Sequence, residues 1–166
     1  MSARPAGLVV RPMTAGDVDW AKELADGEAE APHWPRTAYL AAADPQHEPR
    51  RMAVVAEVQT HRPEGELRRA SVGFAVASLV PPQAELETIV VAAPARRSGI
   101  GRALLVSLID RLKQANVTEV MLEVRASNVT AAVFYRALGF AESGRRIRYY
   151  IDPIEDAVLM RLPLRG

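Results

Sequence analysis

The stretch APARRSGIGRALLVSLIDRL, from Ala93 to Leu112, sets two glycines one residue apart between a β-branched run that Pro94 stops and a long apolar-periodic segment. In that segment Ile100, Leu104, Leu105, Leu108, Ile109 and Leu112 follow the helical period. The chain therefore runs from a strand through a short glycine loop into a helix N-terminus. The first N–H groups of such a helix have no intrahelical partner and the dipole is positive there, so the junction suits an anion, phosphate above all. Gly99 and Gly101 let phosphate oxygens approach the backbone, and Arg96, Arg97 and Arg102 add charge around Ser98 and Ile100. A mononucleotide P-loop is excluded, because Gly101 is followed by Arg102 and Ala103 instead of Lys and Ser or Thr. A dinucleotide fingerprint lacks its third glycine, at Leu104. Taken alone, the loop also fits a tight turn with a solvated arginine rim.

The rest of the chain alternates between strand and helix signals. GLVVRPMT reads as a first strand, followed by a helix through VDWAKELAD with Thr14 or Asp17 as its cap. A second short helix begins near Pro35 and stops at Pro45. RMAVVAEVQT and ASVGFAVASLV are strands around HRPEGELRR, a polar loop expected to be disordered. After the strand AELETIVVA and the long helix come the strand TEVMLEVRAS and the helix NVTAAVFYRALG, closed by Gly139. FAESGRRIRYYIDPIEDAVLMRLPL makes a terminal strand pair.

Charge and composition narrow the partners. Lys and Arg number 21 against 20 Asp and Glu, so no global field argues for DNA or an anionic membrane. Cysteine is absent, and His33, His47 and His61 lack metal-ligand spacing, which leaves no metal in the expected reading. No apolar run approaches the ~18 residues of a membrane span and the opening residues carry no signal-peptide core, so a soluble, cytoplasmic protein is expected. With 166 residues, 49% of them apolar, one domain spanning residues 1–166 is expected.

The pattern Arg96-x-x-Gly99-x-Gly101, preceded by ELETIVVAAP and followed by LEVRASNVTAAVFYRALGF, resembles motifs A and B of the GNAT family of acetyl-CoA-dependent N-acetyltransferases. LEVRASN, FYRALGF and RRIRYYIDPIEDAVLM are similar to its RimI branch, which acetylates the N-terminal amine of ribosomal protein S18. The resemblance implies an α/β (α+β) fold with a mixed, mostly antiparallel sheet of about seven strands and about four helices. It also implies that the strands around Leu86–Val91 and Val120–Arg125 splay apart, so that acetyl-CoA lies between them with its pyrophosphate on the glycine loop, leaving coenzyme A as product. Ile89, Val90 and Val91 would pair with the cofactor arm, and a bulge near Val90 and Val91 would offer N–H groups to the acyl oxygen. Asn128 would reach the arm, while by position alone it is also a helix cap.

By the same resemblance, Tyr135 would face the cofactor sulfur as proton donor and Glu123 would be the base, with Glu87 as a competing base that more naturally orients substrate. Against these stand a half-buried helix aromatic and a solvated strand carboxylate. Trp34, Tyr149 and Tyr150 would line the acceptor groove, and Glu87, Asp152, Glu155 and Asp156 would attract a basic peptide; His33 reads as a surface-loop residue with no catalytic part. An α-amine of pKa near 8 needs about 1.4 kcal/mol to be neutral at pH 7, whereas a lysine near 10.4 needs roughly 4.6, so a carboxylate base suits the former. Three readings stay open: an acetyltransferase for a peptide or protein N-terminus such as that of S18, a small-amine acetyltransferase, and a non-catalytic acetyl-CoA-binding module. The oligomeric state is left open too.

Overall fold

The structure, a computed structural model, describes residues 5–165, and the unbroken apolar runs at 53–56 and 74–77 are its most buried backbone. Val54, Ala56, Ala75 and Ala77 face one side of a sheet, while Ala53, Val55, Phe74 and Val76 face the other, so both faces are covered. The sheet has seven strands: β1 Val9–Pro12, β2 Arg51–His61, β3 Leu67–Val80, β4 Gln83–Val91, β5 Glu119–Arg125, β6 Ala141–Ile151 and β7 Ile154–Pro163. Their order is β1-β2-β3-β4-β5-β7-β6, antiparallel except between β4 and β5. No helix among the described residues is long and apolar enough to cross a membrane.

Helices α1 (Val18–Asp26) and α2 (Arg36–Ala43) pack on one face, against Val55, Phe74, Val76 and Val90. Helix α3 (Ile100–Gln114) covers the other, with Leu104, Leu105, Leu108 and Leu112 fully buried along one stripe. It ends where Asn116 takes a left-handed φ of 64° and the Val117 N–H reaches the Leu112 carbonyl at 3.0 Å, a Schellman closure with Val117 buried behind it. The short α4 (Val129–Ala137) follows β5.

At the entry to α1, Asp17 accepts hydrogen bonds from the Thr14 N–H at 2.8 Å and from both ends of the Arg11 guanidinium at 2.7 and 2.8 Å. Arg11 also donates to Glu57 on β2, so one guanidinium fastens β1, β2 and the first helical turn together. The polar hairpin expected to be disordered is instead a continuation of the sheet. β2 and β3 pair out to His61 opposite Leu67, and the Arg62 N–H closes on the Glu66 carbonyl at 3.0 Å. Backbone pairing extends past the apolar segment because ladder hydrogen bonds do not require apolar side chains.

The opening in the sheet lies between β4 and β5. They pair at only three positions, from Gln83 with Glu119 to Glu85 with Met121, although β4 runs on beside β3 to Val91 and β5 beside β7 to Arg125. A bulge accompanies the divergence: Thr88 faces Val76 and Leu86 faces Ala77, which leaves Glu87 as the extra residue of β4. Bulges bend their strand and sharpen its twist, and here the bend carries β4 away from β5.

Candidate active site

The splayed strands open into a cleft of about 1590 Å³, larger than the usual range for a small-ligand pocket. One end is walled by the glycine loop and the start of α3, the floor by β4, β5 and α4, and the other end by residues 29–34, Tyr149 and Tyr150.

At the first end Gly99 sits at the N-cap of α3 with φ of 81°, a conformation that glycine adopts without strain. The first intrahelical bond is the Ala103 N–H to the Gly99 carbonyl at 3.0 Å, so the N–H groups of Ile100, Gly101 and Arg102 lead the helix without an intrahelical acceptor. A Cβ on Gly99 would meet nothing within 4 Å, and one on Gly101 would come no nearer than 3.5 Å to Phe134. Packing therefore does not require glycine at either place; at position 99 the left-handed backbone favours it, and at both the missing side chain leaves the backbone open to the cleft. Arg97 and Arg102 are exposed beside the loop. Arg96 is already engaged: its Nε donates to the Val91 carbonyl at 3.0 Å, and its outer nitrogen pairs with Glu28. The Ser98 hydroxyl donates to the Ala95 carbonyl and so closes the loop; Ser98 does not line the cleft.

The backbone of β4 corrects one expectation. Opposite Gly73, Phe74, Ala75 and Val76, the register at Val91, Val90, Ile89 and Thr88 is regular, so the bulge lies at Glu87 and not at Val90 and Val91. The Ala92 N–H donates to Val72 of the β3 segment at 2.8 Å, and alternation then points the Val90 amide at β3 as well. The Val90 side chain, 5% exposed, packs under α1 and α2, away from the cleft. Ile89 and Val91 do line it, and their amides point towards the gap.

Glu123 enters from β5, half-buried, with Arg146 Nε 3.1 Å from its Oε1. Tyr149 also shares it: the hydrogen bond to Glu123, followed by the carboxylate's charge, pushes the Tyr149 phenol up. Glu85, exposed at the last paired position before the splay, has its carboxyl pushed up by partial desolvation and then by the charges of Glu123 and Glu87. Glu87 is held by Arg51 Nε at 2.9 Å, and the Arg51 guanidinium lies 5.5 Å from the Trp34 ring centre. Three carboxylates thus gather in one part of the cleft. Glu85, Arg51 and Arg146 were missed in the sequence. The alternation of Glu85 and Glu87 in AELET was the legible signal for the first, whereas the arginines arrive from β2 and β6 and no local pattern marks them.

Tyr135 faces the cleft from α4. It is 8% exposed, and burial pushes its phenol up to about 12. Asn128 caps α4 by accepting the Ala131 N–H at 3.2 Å, as its position suggested, and it lines the cleft as well. Phe134 is a further lining residue that the sequence did not single out. Of the acidic residues expected to attract a peptide, Glu87 alone lines the cleft. Glu155 is taken by the Ser127 N–H and Arg125, and Asp156 accepts the Arg148 N–H at 2.9 Å. His33 lies at the rim, 3.5 Å from Asp26 and largely exposed.

The model of the acetyltransferase (GNAT) family matches residues 19–140. The chain is 45% identical over 93 residues to the ribosomal protein bS18-alanine N-acetyltransferase of Escherichia coli strain K12, a match that covers 55% of this chain and 63% of that one. An N-alpha-acetyltransferase of Sulfurisphaera tokodaii is 49% identical over 70 residues, 42% of this chain and 41% of the relative. These aligned segments span less than two thirds of either relative. The solved ribosomal-protein-S18-alanine N-acetyltransferase from Escherichia coli superposes with a TM-score of 0.75 at 31% identity, covering 96% of each chain.

Proposed function

Because this chain belongs to the acetyltransferase (GNAT) family, we propose that it transfers the acetyl group of acetyl-CoA to the N-terminal α-amine of a peptide or protein. The observation that carries this reading is the meeting of Glu123 from β5 and Tyr135 from α4 in one cleft whose far end is an open helix N-terminus.

The unpartnered N–H groups at the start of α3, with Arg97 and Arg102 beside them, fit a pyrophosphate, and Asn128, Ile89 and Val91 fit the amide-bearing arm of the cofactor. Bound there, acetyl-CoA supplies the acetyl group as an activated thioester. Val91, nearer the glycine loop, is left to the arm, and the Ile89 amide, roughly 7 Å further along β4, offers a donor to an acyl oxygen that gains negative charge. Glu123 takes a proton from the acceptor amine. Tyr135 stays protonated at neutral pH and donates a hydrogen bond to the departing sulfur. Full transfer from a phenol near 12 to a thiolate of ordinary pKa about 8.5 is uphill by roughly 5 kcal/mol, so donation without complete transfer is its part. Holding both partners in the cleft removes entropy from the barrier.

The acceptor reading rests on the open end of the cleft between Trp34 and the Tyr149–Tyr150 pair, where an extended chain end can enter, and on the low cost of deprotonating an α-amine. The bS18-alanine N-acetyltransferase relative points to a small first residue, with the N-terminus of ribosomal protein S18 as the first acceptor to try. The test is mass spectrometry of protein, acetyl-CoA and a panel comprising peptides with a free small N-terminus, the same peptides N-blocked but carrying lysine, and polyamines. Acetylation confined to free N-termini is expected; acetylation confined to polyamines, or none at all, overturns the reading.

A further inference from the structure

Glu123 already has a cationic partner. Arg146, 57% exposed, places Nε 3.1 Å from Glu123 Oε1, while the carboxylate side is only 19% exposed. The same guanidinium lies over the Tyr149 ring, 5.4 Å from its centre. Arg146 stands just before a register shift of β6 against β7, between Arg146 opposite Ala157 and Tyr150 opposite Glu155. Regular alternation would turn Tyr149 and Tyr150 to opposite faces; the shift lets both line the cleft beside Arg146.

The charges around this point do not cancel. Glu85, Glu87 and Glu123 face two guanidinium groups, Arg51 bound to Glu87 and Arg146 bound to Glu123. The third guanidinium there, Arg125, is taken by Glu30 and Glu155, so the carboxylates stay in excess, and the arginine on Glu123 is more exposed than the one on Glu87. An N–H donor near 3 Å from a carboxylate oxygen is also the contact that a primary ammonium makes on its way to losing a proton.

We propose that Arg146 is a stand-in for the acceptor: it pairs with the Glu123 carboxylate, and an incoming ammonium displaces it from there, leaving it on the Tyr149 ring that it already covers. The proposal rests on Glu123 being the acceptor's carboxylate. Arg146 then competes with the acceptor and sets how weakly it binds before reaction. An ion pair this exposed is weak, so the competition is modest and reversible.

Steady-state kinetics with saturating acetyl-CoA and a free N-terminal peptide tests this in wild type, Arg146→Gln and Arg146→Lys. The glutamine variant is expected to lower KM for the peptide about two- to fivefold, the lysine variant to keep the wild-type KM, and methylguanidinium to raise the KM of Arg146→Gln competitively. A KM that is unchanged or higher in Arg146→Gln overturns the proposal, as does a loss confined to kcat. Absence of wild-type turnover, or a rate indifferent to Glu123→Gln, overturns the underlying reading instead. A Glu123-dependent rate with KM indifferent to residue 146 overturns the stand-in alone.

Discussion

Phe140 holds Tyr135 in place from just beyond the helix end: its N–H donates to the Tyr135 carbonyl at 3.1 Å, and the two rings meet edge to face with centres 5.7 Å apart. The closure is possible because Gly139 between them takes φ of 99°. Tyr135 is thereby fixed at its backbone and along its ring, and its hydroxyl takes part in neither contact. Replacing it with Phe keeps every ring contact and removes only the donor. We expect kcat to fall about tenfold or more, with cofactor affinity and melting temperature nearly unchanged. Wild-type turnover in Tyr135→Phe would reduce the residue to packing.

The same phenol predicts an alkaline effect. Its pKa is raised in the fold to about 12 from an ordinary 10, so the stability tied to its neutral form is intact below pH 10 and is lost as pH rises towards 12. Tyr135→Phe is expected to unfold at higher pH than wild type in a chemical-denaturation series between pH 9 and 12. Superimposable curves would contradict the burial argument.

On the glycine loop, Gly99→Asp and Gly101→Asp each set a carboxylate at the helix N-terminus proposed to receive the cofactor's phosphates. Both are expected to abolish the rise in melting temperature that acetyl-CoA gives the wild-type protein. Gly101 is the cleaner test, since Gly99→Asp also forces a side chain into a left-handed conformation. A full thermal shift in both variants would remove the loop from the cofactor site.

For Glu123→Gln, the rate defect on a free N-terminal peptide should be greatest at low pH, where little amine is neutral, and should shrink as pH approaches the amine pKa near 8. The measurement is a pH–rate series of both enzymes. A defect of constant size across that range would end the role of Glu123 as base.

Away from the site, the Asp17 carboxyl is held below the usual carboxylate range first by its hydrogen bonds to Arg11 and then, against the cost of burial, by the Thr14 N–H. A depressed folded-state pKa means stability that is present above the ordinary value near 3.8 and lost as pH falls below it through the lower folded-state value. Asp17→Asn is expected to cost about 1.5–3 kcal/mol at neutral pH, a melting temperature roughly 3–12 °C lower, and the difference should narrow as pH falls below the ordinary carboxylate range. Parallel acid-unfolding curves would refute the assignment.

Much of this protein is local in origin and was therefore readable along the chain. The helical period from Ile100 to Leu112, the β-branched runs of the central strands, the glycines at 99 and 101 and the cap at Asn128 depend on neighbours within a few residues. The motif resemblance carried Glu123 and Tyr135 into the same site, and the fold does put both in one cleft.

Tertiary structure alone decided the rest, because it turns on which strand lies beside which and in what register. The bulge at Glu87 arises from a mismatch between β3 and β4 that neither strand displays by itself, and it moved the expected irregularity away from Val90 and Val91. Arg146 reaches Glu123 across a sheet in which β7, last in sequence, lies between β5 and β6, and Arg51 reaches Glu87 across β3. Glu155 and Asp156, acidic and near the groove in sequence, are consumed by backbone N–H groups of Ser127 and Arg148. A sequence states which charges a chain carries; which of them pair with each other, and which are left facing a ligand, is fixed only when strands distant in the chain are laid side by side.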